Sequence, residues 1–406
     1  MILGVPGKAG GMTAPAATER PRVTSTRPNT RFALLGHSPA LDGLRGLAVL
    51  LVVAYHFVGH HVLVGGWVGV DVFFVLSGFL ITALLLDERR VHGRVDVRRF
   101  YARRAARLLP ALVLVLGIWS VLLLLFHGQG WLSATPSGDG RGRSLDVASS
   151  FGDIGIALGY GANWIYATGG GEAPLAHLWS LAVEEQFYLL WPATLLALLT
   201  LSGRVKYTVA AALVILSATL PWLYWNGGEG QNRIYFGTDT RAVGLLAGAL
   251  AALLWHRRRS AGRPAVLARS RAIIGLAAVA LVACYVGNEP AKFVLMPALM
   301  ALAVSQVVPH LAEGGGRLGR LLGPRWLLWA GRRSYALYLW HYLWATWTHP
   351  LPMQVGVPLG IAGAVASTEL SWRLVEQPIL LWARRFRVPT AATTRRAPDV
   401  VTARAA

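Results

Sequence analysis

Leu41-Asp42-Gly43-Leu44-Arg45-Gly46-Leu47-Ala48-Val49-Leu50-Leu51-Val52-Val53-Ala54-Tyr55-His56-Phe57 is the stretch whose reading decides the fold. A carboxylate and a guanidinium, Asp42 and Arg45, open it. An apolar run follows and ends on a histidine. The run reads as a membrane-spanning helix. At ~1.5 Å of rise per residue, Arg45 and His56 stand ~16 Å apart along its axis, one near a membrane face and one well inside. An ionisable group inside a membrane helix is costly and marks a candidate functional site. The plainer alternative is a histidine hydrogen-bonded to a neighbouring helix. Three polar groups on one entry helix weigh against packing alone.

Composition supports a membrane protein. The chain has 406 residues, 54% hydrophobic and 14% charged, with a mean hydropathy of +0.48. Soluble domains carry ~25% charged residues. The chain is also basic, with 39 Lys and Arg against 19 Asp and Glu. A nucleic-acid partner would need a basic soluble face. Here the basic residues sit between apolar runs, so an excess of positive charge in cytoplasmic loops explains them and no nucleic acid is expected. The single cysteine, Cys284, lies in an apolar run, which excludes an internal disulfide or a cysteine-based metal cluster. No metal site and no bound cofactor are expected.

The expected fold is all-α, with about ten transmembrane helices, each needing ~20 apolar residues. The spans read at 42–64, 67–87, 108–127, 181–201, 207–225, 240–255, 272–288, 291–308, 326–348 and 355–376. An eleventh stretch, 148–166, is weakened by Gly152, Asp153, Gly155, Gly159, Gly161 and Asn163. Charge decides its placement. Loop 88–107 carries eight arginines, and loop 256–271 carries Arg257, Arg258, Arg259, Arg263, Arg269 and Arg271 with no acid. If 148–166 crossed, loop 256–271 would fall outside; if it lies at the interface or re-enters, every basic loop is cytoplasmic. That gives loop 128–180 on the outer side and both termini in the cytoplasm of a multi-pass cell-membrane protein. Residues 1–37 read as a disordered tail, 38–383 as the membrane domain and 384–406 as a second basic tail. No cleavable signal peptide is visible.

Depth then sorts the ionisable residues. Asp71, Glu184, Glu185, Asp239, Arg241 and His341 fall in the outer half, as does His56. Arg45 and the arginines of Val97-Arg98-Arg99-Phe100-Tyr101-Ala102-Arg103-Arg104-Ala105-Ala106-Arg107 face the cytoplasm. The last segment reads as an interfacial helix. It is either a topogenic cluster on lipid head groups or a phosphate site, since arginine forks suit phosphates. Asp239 and Arg241 read as a structural ion pair. Such a two-ended layout suits a donor entering from one side and an acceptor meeting it deeper. The chemistry fits acyl transfer: a hydroxyl needs a base within reach, histidine supplies one near neutral pH, and a carboxylate such as Glu184 orients the imidazole. Hydrolase-elbow, P-loop and zinc-protease motifs are absent from the sequence.

At these residues the sequence resembles the acyltransferase-3 family of integral membrane O-acyltransferases. Arg45 and His56 match its Arg-x10-His opening element, and Gly65 to Leu80 its second-helix motif. Arg104 and Arg107 match its Arg-x-x-Arg spacing, and His177 to Pro192 its Trp-Ser-x-x-x-Glu-x-x-Phe-Tyr element. Tyr338-Leu339-Trp340-His341 and Val375-Glu376-Gln377-Pro378 are also similar. The resemblance implies an acyl-CoA co-substrate and His56 as catalytic residue, supported by Arg45 and Glu184. It also implies a basic segment (Arg103, Arg104, Arg107) near the CoA phosphates. Asp71, Glu185 and His341 stand as further substrate-binding candidates. The acceptor class is a carbohydrate or a glycosylated small molecule such as a macrolide, met at the membrane lipid. Many relatives append an extracytoplasmic SGNH-type hydrolase domain. These 406 residues are expected to hold none, which favours direct transfer or a separate partner. The rival reading is a transporter or lipid flippase.

Overall fold

The computed structural model describes residues 34–59, 65–126, 147–169, 175–263, 275 and 291–383. These form α-helices, short turns and two single π-helical turns, with no strand among them. In chain order the helices are α1 (Pro39–Val58), α2 (Val68–His92), α3 (Val97–Phe126), α4 (Val147–Leu158), α5 (Ala162–Ala167), α6 (Leu178–Thr200), α7 (Val205–Asn226), α8 (Gln231–Phe236) and α9 (Thr238–Ser260). After them come α10 (Met296–Ala312), α11 (Gly316–Leu321), α12 (Arg325–Arg332), α13 (Ser334–Thr348), α14 (Met353–Ser371) and α15 (Gln377–Trp382). One π-turn, Ala291–Leu295, leads into α10; the other, Trp372–Glu376, joins α14 to α15.

The protein is all-α and polytopic. Six described segments are long and apolar enough to cross a membrane: α1, α2, α3, α7, α8 with α9, and Lys292–Ala312. Helix α6 has the length, but Glu184, Glu185 and Gln186 dilute its apolar content. The expected span 272–288 lies outside the described residues apart from residue 275, as do the tails 1–33 and 384–406. So do 127–146 and 170–174 within loop 128–180, and 264–271 within loop 256–271.

Two expectations change in detail, and the reading of 148–166 as a non-crossing stretch is refined. The basic segment 97–107 does not lie flat as a separate interfacial helix. It continues into the apolar run as one 30-residue helix, α3, ~45 Å long against a ~30 Å hydrocarbon core. Pro110 inside it removes one backbone donor, which the turn tolerates without a break. The expected span 326–348 is two helices, α12 and α13, broken at Arg333, whose side chain turns to Glu369 on α14 at 2.6 Å. The weak stretch 148–166 forms α4 and α5, separated at 159–161; twelve residues of α4 cover ~18 Å, too short to cross.

Small residues bring the helices together. Apolar side chains gain nothing by leaving lipid for one another, so packing depends on close backbone approach. A Cβ at Gly78 of α2 would overlap the Leu245 carbonyl of α9, and one at Gly248 of α9 would overlap the Val75 carbonyl. Gly46 of α1 and Gly331 of α12 abut the backbones of Leu327 and Asp42 in the same way.

One end of the bundle gathers the basic residues. The Leu34 and Leu35 amides donate to the Asp87 carboxylate at 2.9 and 2.7 Å, tying the chain before α1 to the end of α2. Ser38 donates to the Leu311 carbonyl at the end of α10, and Trp255 near the end of α9 donates to Glu313. The start of α1 and the ends of α2, α9 and α10 therefore share one face, with Arg89, Arg90 and Arg257 to Arg259 upon it.

Candidate active site

Helix α1 carries both halves of the site. Near its start, towards the basic face, Arg45 is 18% exposed and reaches Asp42 at 3.5 Å, one turn away. Arg104 and Arg107 of α3 project into the same space, close enough to Arg45 that the three guanidinium groups repel one another. Acidic and aromatic groups offset that repulsion. Arg104 lies over the Tyr188 ring, its Cζ 4.4 Å from the centroid. Tyr188 and Ser77 donate to the two Glu184 oxygens at 3.0 and 2.9 Å. Glu376, on the π-turn before α15, lies near Arg107 and accepts from Ser371 at 3.2 Å. Single π-turns inside helices recur at functional sites, because the extra residue re-aims a side chain. This arginine chamber is a concentration of positive charge drawn from α1 and α3 and bordered by α2, α6 and the α14–α15 junction.

Near the other end of α1 stands His56. Its Nδ1 faces the Val52 carbonyl at 2.8 Å and His341 Nε2 at 3.3 Å. His341 is fully buried, and its Nδ1 faces the carbonyls of Tyr338 and Leu337 at 2.7 and 3.2 Å. A carbonyl only accepts, so each Nδ1 carries a proton in the neutral ring, and each Nε2 carries the lone pair. His341 Nε2 thus accepts from His56, and His56 Nε2 is left with an open lone pair. His177, one residue before α6, completes a cluster. Its ring stacks on Tyr342 at 4.7 Å and 22°, and meets His341 edge-on at 5.9 Å. His56 meets Tyr342 from another side at 5.2 Å. The Tyr338 hydroxyl donates to the His177 carbonyl at 2.7 Å and accepts from Ser180 at 2.6 Å, pinning the start of α6 to α13. Among the described residues, no trio of His, Cys, Asp or Glu is arranged to hold a metal ion.

The structure redistributes several sequence-predicted residues. Glu184 does not orient the His56 imidazole: both its oxygens are bonded to Ser77 and Tyr188, and His341 takes the orienting position. Arg103 does not join Arg104 and Arg107. It bonds Glu88 at 2.9 Å, while Glu88 also accepts from the Asp96 amide. Asp71 is 3% exposed and pairs with Arg241 at 2.8 Å, so it is a buried strut rather than a substrate contact. Phe74, Trp179 and Tyr235 surround that guanidinium with ring centroids 5.0–5.8 Å from Cζ. Burial on this scale needs such compensation. The expected Asp239–Arg241 pair is exchanged accordingly: Asp239 bonds Arg233 twice, at 2.9 and 2.7 Å, and Tyr224 at 2.8 Å. Glu185 sits near Arg104, Tyr160 and Tyr335, with one oxygen buried and unbonded, away from the histidines. Sequence reasoning assigned His177 no role, although it is a histidine at the start of a membrane helix and the rule that singled out His56 applies to it equally.

Comparison with known proteins adds the family. A family model described as an acyltransferase domain matches residues 38–375. Peptidoglycan O-acetyltransferase OatA of Listeria monocytogenes is 33% identical over 364 residues, covering 84% of this chain and 55% of the relative. The Bacillus subtilis protein named "Putative peptidoglycan O-acetyltransferase YrhL" is 36% identical over 355 residues, covering 84% and 54%. The chain thus spans about half the length of the curated relatives it matches. No solved structure matches it. With the match running through both the arginine chamber and the histidine cluster, the chain belongs to the acyltransferase-3 family of integral membrane proteins.

Proposed function

We propose that this protein is a membrane O-acyltransferase. It moves an acetyl or other short acyl group from a coenzyme A thioester to a carbohydrate hydroxyl. The observation that carries the reading is that α1 places Arg45 among the α3 arginines near one end and the His56 imidazole near the other. In this reading Arg104 and Arg107, with Arg45, bind the donor phosphates. The basic face lies in the cytoplasm with both termini, as charge bias requires, and the acyl group reaches His56 along α1. The acceptor hydroxyl oxygen attacks the thioester carbonyl carbon while His56 Nε2 takes the hydroxyl proton. The C–S bond breaks, and the proton passes from His56 to the departing thiolate, so the products are an ester and free CoA thiol. His341 fixes the tautomer that leaves Nε2 able to accept. The names of the relatives make peptidoglycan the first acceptor to try; a sugar-bearing metabolite is the second.

The test uses membranes containing the full chain, acetyl-CoA and glycan fragments, with free thiol and ester formation as readouts. Thiol release matched by acetyl ester on the glycan is the expected result. No thiol release with any short acyl-CoA, at normal expression, overturns the reading and returns the protein to the transporter class.

A further inference from the structure

His177 is 3% exposed, yet neither ring nitrogen lies in a hydrogen bond of good geometry, although the Leu339 backbone approaches the ring. A buried polar group without a partner is destabilising. An apolar ring at this position would keep the stack on Tyr342 and avoid that cost. The surroundings are otherwise built to hold the residue still: Tyr338 bonds its carbonyl, and Tyr342 and His341 pack its ring on two sides. His56 meets those same two rings, at 5.1 Å for His341 and 5.2 Å for Tyr342. The base and the unsatisfied imidazole therefore both border the same pair of rings, His341 and Tyr342.

We propose that a ring N–H of His177 donates to the carbonyl oxygen of the acyl group during transfer, making His177 a second catalytic residue. The inference rests on the O-acyl transfer proposed above. As the hydroxyl oxygen bonds to the carbonyl carbon, the electron pair of the C=O bond moves onto oxygen, and the His177 N–H stabilises that charge. When the C–S bond breaks the pair returns, and His177 keeps its proton throughout. A neutral imidazole suits this task because it offers a donor without a competing charge. Donors aimed at developing charge in a water-poor site are worth ~10²–10³ in kcat each.

The experiment compares wild type, His177→Phe and His177→Gln in membranes at matched protein level, measuring kcat, KM for acetyl-CoA, pH dependence and thermal stability. Phe keeps a flat ring on Tyr342 and removes both nitrogens; Gln restores a donor. The expected result is that His177→Phe is at least as stable as wild type but loses about 10²–10³ in kcat. Its KM for acetyl-CoA stays close to wild type, and His177→Gln recovers part of the rate with the acidic limb of the pH profile unmoved. Turnover by His177→Phe within about threefold of wild type overturns the inference, since a lost donor of this kind costs far more. So does a matching loss of stability and activity in both variants, which would make the residue structural. Disappearance of the acidic limb in His177→Gln would make His177 the base and also overturn it. An inactive wild type is a separate outcome: it removes the acyl-transfer reading itself, and this inference with it.

Discussion

The arginine chamber and the histidine cluster share α1 but are built on opposite principles. In the chamber the charged groups are met by nearby partners: Asp42 for Arg45, Tyr188 for Arg104, Glu376 for Arg107. Those contacts hold three like charges together while leaving donors for a polyanion. In the cluster the rings touch edge and face, one hydrogen bond links His341 to His56, and polar atoms are left open. The first arrangement suits holding a charged molecule for some time. The second suits handing a proton over and taking it back. If the proposed function holds, substrate affinity and chemical rate are separated along the helix, and kinetics can ask each end its own question.

The largest effect is expected at His56. His56→Ala should insert normally and lose ~10²–10⁴ in kcat, with the KM for acyl-CoA close to wild type, because a positioned base acts only in the transition state. Near-normal turnover at matched protein level would break the comparison at its catalytic end. Arg104→Ala combined with Arg107→Ala should do the reverse. Each lost charge-assisted bond is worth ~1.5–3 kcal/mol, so with two lost the KM for acyl-CoA should rise ~10²–10⁴-fold with a much smaller change in kcat. A kcat loss at unchanged KM would show that the chamber takes part in the chemical step.

Much of this was legible in the sequence, and the parts that were not share one cause. The membrane class followed from composition. The shared helix of Arg45 and His56 followed from spacing, which a helix converts directly into distance. Partnerships between helices did not follow, because periodicity does not encode which helix lies beside which. His341 meets His56 across 285 residues, Arg241 meets Asp71 across 170, and Ser77 meets Glu184 across 107. Glu184 beside His56 and Asp239 beside Arg241 are chemically suitable pairings, but the fold gives each carboxylate other neighbours. The continuity of α3 was missed for another reason: a basic helical segment suits the head-group surface, and nothing in its composition says that it runs straight on into the apolar span.

Glu184 sharpens the boundary between the two regions. As an orienter of His56, its amide variant would be nearly as damaged as His56→Ala. As the carboxylate that accepts from Ser77 and Tyr188, it supports the chamber instead. Glu184→Gln keeps one oxygen acceptor and loses the charge, so the expected effect is about fivefold on the KM for acyl-CoA, of the order of one ordinary hydrogen bond. A loss in kcat approaching that of His56→Ala would restore the sequence assignment and merge the two regions.

The smallest expected effect concerns Asp96, which starts the helix bearing Arg104 and Arg107. Its carboxylate accepts from the Arg99 amide at 3.0 Å, capping α3 at its first turn. That backbone bond, with Arg99, Arg94 and Arg103 nearby, holds the carboxyl below its ordinary value of 3.8. A group whose folded value is depressed stabilises the fold above its unfolded value, and that contribution is lost as pH falls through the folded value. The Tm difference between wild type and Asp96→Ala should therefore be constant from about pH 8 to 5 and narrow only below about pH 4, the carboxylate's own range. Asp96→Asn, which also caps well, should sit between the two near neutrality. Because the cap acts on α3 alone, the alanine variant should raise the KM for acyl-CoA slightly and leave the pH profile set by the histidines in place. A Tm difference that widens on acidification, or a shifted acidic limb, would show that the start of α3 communicates with the histidine end and that the two regions are not separable.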